Sequence, residues 1–230
     1  MELEEANQLV TAQMFEFGPL HEKRYEIEKI LKLLPIQTGD ILYRRGNAKG
    51  PFGLPFSRLI SLLSKSDYSH AAMTFMVNGY PFVLEINDQG TLLYRMIDWL
   101  DMSYTGDFSV YRYKGINEEL KEDIKREIEK FLDADPEYDF TFSDPNKFYC
   151  TESVIVIYDR VGVKLIEPSK IKDVVSLPVY VILKIGSAIF SLFSEASLPF
   201  NKGLYFVGNE DQGMISSKET FEIYTHKENL

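Results

Sequence analysis

The sequence predicts an α+β fold in which an antiparallel sheet packs against helices. Three observations carry that expectation. A β-rich block from "SHAAMTFMV" (69–77) through "DFSVYRYKG" (107–115) holds four strand-like runs separated by turn signals. A clear amphipathic helix follows over 117–132. A second helical pattern then opens in "KFYCTESVIVIYDRVG" (147–162), and it places the single cysteine of the chain, Cys150, near a helix N-terminus.

Taken in order, residues 1–34 read as helical, with Ile27, Ile30, Leu31 and Leu34 ahead of Pro35. "QTGDILYRRG" (37–46) is a turn feeding a short strand, and "NAKGPFGLPF" (47–56) is a Gly/Pro-rich loop and a candidate lid. "SRLISLLSK" reads as a short helix with Ser57 as its N-cap. Within the β block, "NGY" near 78–80 supplies a tight hairpin between "SHAAMTFMV" and "PFVLEIND". "GTLLYRMIDWL" starts as a third strand, and alternation through Phe108, Val110, Tyr111 and Tyr113 marks a fourth. Leu120, Ile124, Ile128 and Phe131 share one face of the following helix, with Asn117 as its N-cap. The segment after Tyr149 is ambiguous, because Val154 to Ile157 are β-branched. Val154, Ile157, Tyr158 and Val161 nevertheless fit one helical face, and Gly162 fits a C′ position, so a helix is expected. Residues 177–193, "LPVYVILKIGSAIFSLF", read as a buried strand over 178–185, then Gly186 and a short apolar helix. The resulting organisation is an N-terminal helical extension (1–36), a core (37–175) and a C-terminal extension packed on it (176–230).

Composition narrows the function. Hydrophobic residues make up 45% of the 230-residue chain, enough for a real core and too much for global disorder. A net charge of −10 repels a nucleic-acid backbone, so no nucleic-acid partner is expected. Residues 116–139 carry ten Asp/Glu against four Lys/Arg, which reads as a solvated helix face or as an acidic rim for cationic substrates. One cysteine makes no internal disulfide, and no CxxC or zinc pattern exists; no metal or cofactor is implied. "MELEEANQLVTAQMF" lacks the basic and apolar regions of a signal peptide, which points to the cytoplasm. Residues 177–193 are short for a membrane span and carry Lys184 near their centre; surface contact with a membrane through them stays a secondary option. Nothing speaks to oligomeric state.

The cysteine is where chemistry gathers. Free N–H groups and the dipole at a helix N-terminus favour a thiolate, and the same N–H groups can hold an oxyanion. A cysteine nucleophile needs a base, usually an imidazole. His21 and His226 lie toward the chain's ends and read as surface residues. His70 opens a strand beside Ala71 and Ala72, which leave room for close packing. Glu85 sits inside the apolar run "FVLEIND", where it either orients the His70 imidazole or points to solvent.

"TGDILYRRG", "SDYSHAAMTF", "FVLEI" and "EYDFTF…KFYCTESVIVIYDRVGV" occur in that order over 38–163. The set resembles the YiiX-like permuted papain-fold hydrolases of the NlpC superfamily of cysteine peptidases and amidases. The resemblance implies a circularly permuted papain-like (NlpC-type) fold, with histidine and glutamate preceding the cysteine. Carried over by position, Cys150 resembles the nucleophile, His70 the general base and Glu85 the group that orients the imidazole. Tyr149 and Glu152 flank the cysteine as the family motif does; Glu152 either caps first-turn N–H groups or meets a substrate amine. Tyr138 and Asp139 match a Tyr-Asp ahead of the cysteine motif, and Ser69 matches the Ser-His pair; these join the substrate-facing candidates. Asp40 matches the Gly-Asp turn and is expected to be structural.

The implied activity is hydrolysis of amide bonds in peptides or amino-acid conjugates, cell-wall-type fragments among them, through a thioester. Two alternatives stay open. The chain resembles, more distantly, the permuted lecithin:retinol acyltransferase-like enzymes of lipid esters, although it carries Tyr-Cys-Thr-Glu where that branch has Asn-Cys-Glu-His. It can also be a binding domain with an inert cysteine.

Overall fold

The computed structural model describes residues 1–10, 24–46, 56–87, 89–103, 105–138, 146–190 and 200–227. All of the candidate lid over 47–56 except Phe56, together with His21 and Asp139, lies outside the described residues.

Six strands form one antiparallel sheet. They are β1 (Ile41–Arg44), β2 (His70–Val77), β3 (Tyr80–Asn87), β4 (Gly90–Arg95), β5 (Phe108–Tyr113) and, from the C-terminal segment, β8 (Thr220–His226). Their spatial order is β4-β3-β2-β1-β5-β8. Between β2 and β3 the chain reverses at Asn78 and Gly79, with φ of 48° and 82°. Two positive φ values in a two-residue loop are what a type I′ hairpin requires. The register sets Arg44 opposite His70, and Met73 opposite Leu84.

Period-two alternation sorts the strands' side chains onto two faces. Ile41, Tyr43, Ala71, Met73, Phe75, Leu84 and Ile86 share one core with Ile124, Ile128, Val154, Ile157 and Tyr158. Those last five belong to helices α5 (Glu118–Ala134) and α6 (Cys150–Arg160). On the other face Leu42, Ala72, Val83, Phe108 and Val110 pack against Trp99 and Leu100 of α4 (Met96–Asp101) and Ile27 of α2 (Arg24–Leu33). The sheet is therefore the middle of three layers, the arrangement that buries both of its apolar faces. Helix α1 (Leu3–Leu9) adds the buried Ala6, and Val10 just after it bridges to Leu93 of β4.

Local chemistry accounts for the helix ends. The Asn117 side chain accepts the Leu120 N–H at 2.9 Å and caps α5. After α6, Gly162 adopts φ +80°, the left-handed conformation that ends a helix. Helix α3 (Phe56–Ser64) begins one residue before Ser57, which is thus inside the helix rather than its cap. The turn into β1 needs its glycine. Gly39 has φ +89°, and a Cβ there would stand 2.9 Å from Ile124. Asp40 follows, fully buried; it accepts the Gln37 N–H and a bidentate pair of bonds from Arg112 at 2.7 and 2.8 Å.

The expectation of a strand over 178–185 is wrong. After the short pieces β6 (Ser169–Lys170) and α7 (Ile171–Val174), residues Leu177–Phe190 form helix α8. Pro178 falls in its first turn, where a missing N–H breaks no bond. Tyr180 donates its N–H to Ser176 O at 2.9 Å, and Tyr180 and Leu183, one turn apart, pack toward Tyr149, Ile171 and Leu204. Leu177, Val181 and Ile182 are exposed, not buried. The remaining strand piece, β7 (Gly203–Leu204), pairs with β6. No helix among the described residues is long and apolar enough to cross a membrane.

Candidate active site

Three adjacent strands bring Arg44, His70 and Glu85 together. Each shares its parity with the α4 side of the sheet, alongside Leu42, Ala72 and Val83. Glu85 is only 3% exposed, so the solvent-pointing reading of this carboxylate fails. Its Oε1 lies 3.0 Å from His70 Nε2 and accepts the Asn87 side-chain amide at 2.8 Å. Its Oε2 lies 3.3 Å from an Arg44 guanidinium nitrogen and accepts the Trp99 indole N–H. Trp99 reaches in from α4, where its ring stacks near His70 at 6.1 Å between centroids. Two cations and two neutral donors thus surround one buried anion, which is how a carboxylate survives burial. Burial alone would raise its pKa; His70 and Arg44 outweigh that and hold Glu85 well below the usual carboxylate range.

Helix α6 delivers the thiol from the opposite layer. Tyr149 stands in the extended N-cap position and Cys150 is the first helical residue, 7% exposed. Its sulfur lies beside the His70 imidazole and the backbone N–H of Ala71 at the start of β2, and both favour the thiolate. Burial pushes the thiol up, but the His70 imidazolium and the Ala71 N–H bring it below its ordinary value. The imidazole responds in kind. Burial opposes its charge, while the Glu85 carboxylate and the Cys150 sulfur together raise its pKa to about 10. A thiolate–imidazolium pair oriented by a carboxylate is the arrangement of an activated cysteine nucleophile.

The turn holding Cys150 is fastened on both sides. The Tyr205 N–H donates to the Tyr149 hydroxyl at 2.7 Å, and the Thr151 hydroxyl donates to Tyr205 O at 2.6 Å. Ser153 closes the turn from within by donating to Cys150 O at 2.8 Å. Glu152 is half-buried beside Tyr149 and Tyr205, and its charge helps raise the pKa of both phenols, for which burial is the larger cause. Tyr138 bridges to Phe148 and packs in the cluster of Tyr149 and Leu204. Ser69 is buried and anchors the loop entrance: its hydroxyl accepts the Gly46 N–H at 3.0 Å. Asp40 stands at the end of β1 away from Arg44, tied to Arg112. His226 is half-buried, stacked 5.3 Å from the Phe108 ring.

Arg44, Asn87, Trp99 and Tyr205 escape the sequence reading although they line or brace the site. Parity along β1 was available for Arg44, since Leu42 and Arg44 must share a face. No local pattern points to Trp99 or Tyr205, which arrive through tertiary packing.

The chain is 27% identical over 140 residues to a protein of Escherichia coli (strain K12) called "Uncharacterized protein YiiX", a match covering 60% of this chain and 65% of that protein. A crystal structure of yiiX from Escherichia coli O157:H7, described there as a metalloprotein, superposes with a TM-score of 0.66 at 24% identity. That match covers 84% of this chain and 98% of the other, and it shows a shared fold. Among the described residues no group of three or more His, Cys, Asp or Glu side chains is placed to hold a metal ion. Glu85 already has His70, Arg44, Trp99 and Asn87 around its two oxygens. Residues 35–179, which span the sheet strands of the site and the cysteine helix, match the model of one family, and the chain belongs to it: the permuted papain-like amidase enzymes, YaeF/YiiX, C92 family.

Proposed function

We propose that the protein is a cysteine hydrolase that cleaves amide bonds in peptides or amino-acid conjugates, with Cys150, His70 and Glu85 as its triad. The observation that supports this most is the buried chain of contacts from the Cys150 sulfur through His70 to Glu85, 3.0 Å from the imidazole. In this reading the Cys150 thiolate attacks the substrate carbonyl carbon, and the carbonyl π electrons move to its oxygen. The Cys150 N–H, at the first helical position where no intrahelical acceptor exists, donates to that oxyanion. The intermediate collapses to a thioester as the His70 imidazolium gives its proton to the leaving amine. Neutral His70 then takes a proton from water, hydroxide attacks the thioester, and the acid leaves as the thiolate and imidazolium are restored. Glu85 keeps the ring oriented and its charge balanced throughout.

Substrates with a free amine suit the reading, because Glu152 adds negative charge one turn-face from the nucleophile in a chain of net charge −10. Turnover of amide-linked peptides and aminoacyl conjugates by the wild type and by Cys150→Ala tests the proposal. Loss of all turnover with an unchanged circular dichroism spectrum is expected; turnover surviving in the folded variant overturns it.

A lipid-ester substrate is the second reading, favoured by the exposed Leu177, Val181 and Ile182 along α8. The net charge opposes adsorption to anionic bilayers. Flotation with neutral and with anionic vesicles separates the readings: failure to float with either removes the lipid reading.

A further inference from the structure

Arg44 is buried with only 8% of its side chain exposed, directly across from His70 in the β1–β2 register. One guanidinium nitrogen reaches Glu85 Oε2 at 3.3 Å, and the guanidinium carbon lies 4.5 Å above the Trp99 ring. Its buried Nε has no hydrogen-bond partner. For stability alone this is a poor choice. A desolvated cation with an unmet donor is replaceable by an apolar side chain of similar volume at little or no cost when its partner is neutralised too. The need for Arg44 lies in what Glu85 does to His70. A buried carboxylate paired only with the imidazolium would bind its proton tightly, yet a general acid must release that proton to the leaving amine.

We propose that Arg44 is a positioning residue acting through Glu85: it holds Oε2, presents Oε1 to His70, and offsets the carboxylate's pull so that the imidazolium proton stays transferable. The inference rests on the Cys150–His70–Glu85 reading above. The charged and polar groups around the His70–Glu85 pair define the electrostatics. Arg44 comes from β1, Glu85 and Asn87 from β3, the neutral indole of Trp99 from α4, and Cys150 from α6. The nearest further charge on α6, Glu152, borders Tyr149 and Tyr205.

The chain supplies its own reporters, one cysteine and one tryptophan. Iodoacetamide labelling of Cys150 against pH gives the acid midpoint of the thiol–imidazole pair. The Trp99 indole N–H resonance reports the Glu85 contact. Removing a nearby positive charge makes every proton harder to lose, so Arg44→Met is expected to raise the labelling midpoint by about one pH unit. Arg44→Lys, which restores the charge, is expected to return it to within about 0.3 unit of wild type. Where Arg44→Met does not fold, Arg44→Gln keeps a donor to Glu85 without the charge and makes the same comparison. Wild-type midpoints in the folded Met or Gln variant overturn the proposal, as does a Lys variant shifted as far as Met. A wild-type midpoint near the free-cysteine value of about 8.5 overturns the underlying pair itself, and so separates the two failures.

Discussion

Replacing Glu85 by Gln keeps the side-chain shape and removes one charge. The carboxylate stands 3.0 Å from His70 Nε2 and 3.3 Å from Arg44, and it also accepts from Asn87 and Trp99. Breaking a buried network of this kind by removing one partner costs about 3–5 kcal/mol, because the remaining cation stays buried without its counter-charge. In a chain of 230 residues each kcal/mol lowers the melting temperature by about 2–4 °C, so Glu85→Gln should melt about 6–20 °C below wild type. The second effect is on the imidazole. His70 is held at about 10, and Glu85 is the strongest of the groups that raise it. A carboxylate at this range supplies about 1–3 pH units, so the His70 midpoint should fall by that amount, and the alkaline limb of the Cys150–His70 pair should move to lower pH with it. Differential scanning calorimetry gives the first number. Histidine side-chain NMR and iodoacetamide labelling of Cys150 give the second. A variant that melts early while His70 titrates at its wild-type midpoint would refute the electrostatic reasoning and leave Glu85 a purely structural group.

Two further predictions use the surroundings of the same site. Tyr149→Phe removes the acceptor of the Tyr205 N–H and should cost about 1–2 kcal/mol in denaturant unfolding, with faster alkylation of Cys150; an unchanged midpoint and rate would show that the Tyr205 clamp is idle. The buried pair also sets a pH window for stability. Glu85 has a depressed folded pKa, so its contribution is present above about pH 4.3 and is lost as pH falls below that. His70 has a folded pKa raised from 6.5 to about 10, so its contribution is full below pH 6.5 and is lost as pH rises to about 10. The Cys150 thiol, held below its ordinary value, adds stability as pH rises to about 8.5 and offsets the His70 loss up to that point. Urea midpoints should therefore fall in acid below about pH 4.3 and in alkali above about pH 8.5, and a His70→Gln variant should lose the alkaline decline. An unchanged alkaline decline in that variant contradicts the assignment.

The sheet was legible wherever local rules and tertiary packing agree. Asn78 and Gly79 can only be read as a hairpin turn, and the four-four-three spacing of Leu120, Ile124, Ile128 and Phe131 has one buried face to offer. The α8 segment failed for the opposite reason. Val179, Val181 and Ile182 favour a strand by propensity, but a helical turn sets Tyr180 and Leu183 together on the Tyr149 cluster, and that packing decides the outcome. At the site, His70, Glu85 and Cys150 could be picked out as residue types that carry chemistry. Their bracing could not. An arginine in "YRRG" reads as solvated, and its burial depends on Trp99 crossing from α4 to stack on it. Tyr205 acts through its backbone, which has no residue-type signature at all.

That backbone clamp bears on when the protein becomes competent during its synthesis. A ribosome-bound chain that has emerged as far as Arg160 already holds Arg44, His70, Glu85, Trp99 and the whole cysteine helix. It lacks the Tyr205 peptide that grips Tyr149 and Thr151, and it lacks β8 along the edge of β5. The Cys150 sulfur is therefore made before the part that fastens its turn, and that turn is locked only once the Tyr205 segment has left the exit tunnel. Translation order thus acts as a delay, leaving the Cys150 turn unfastened until the segment that grips it has been made.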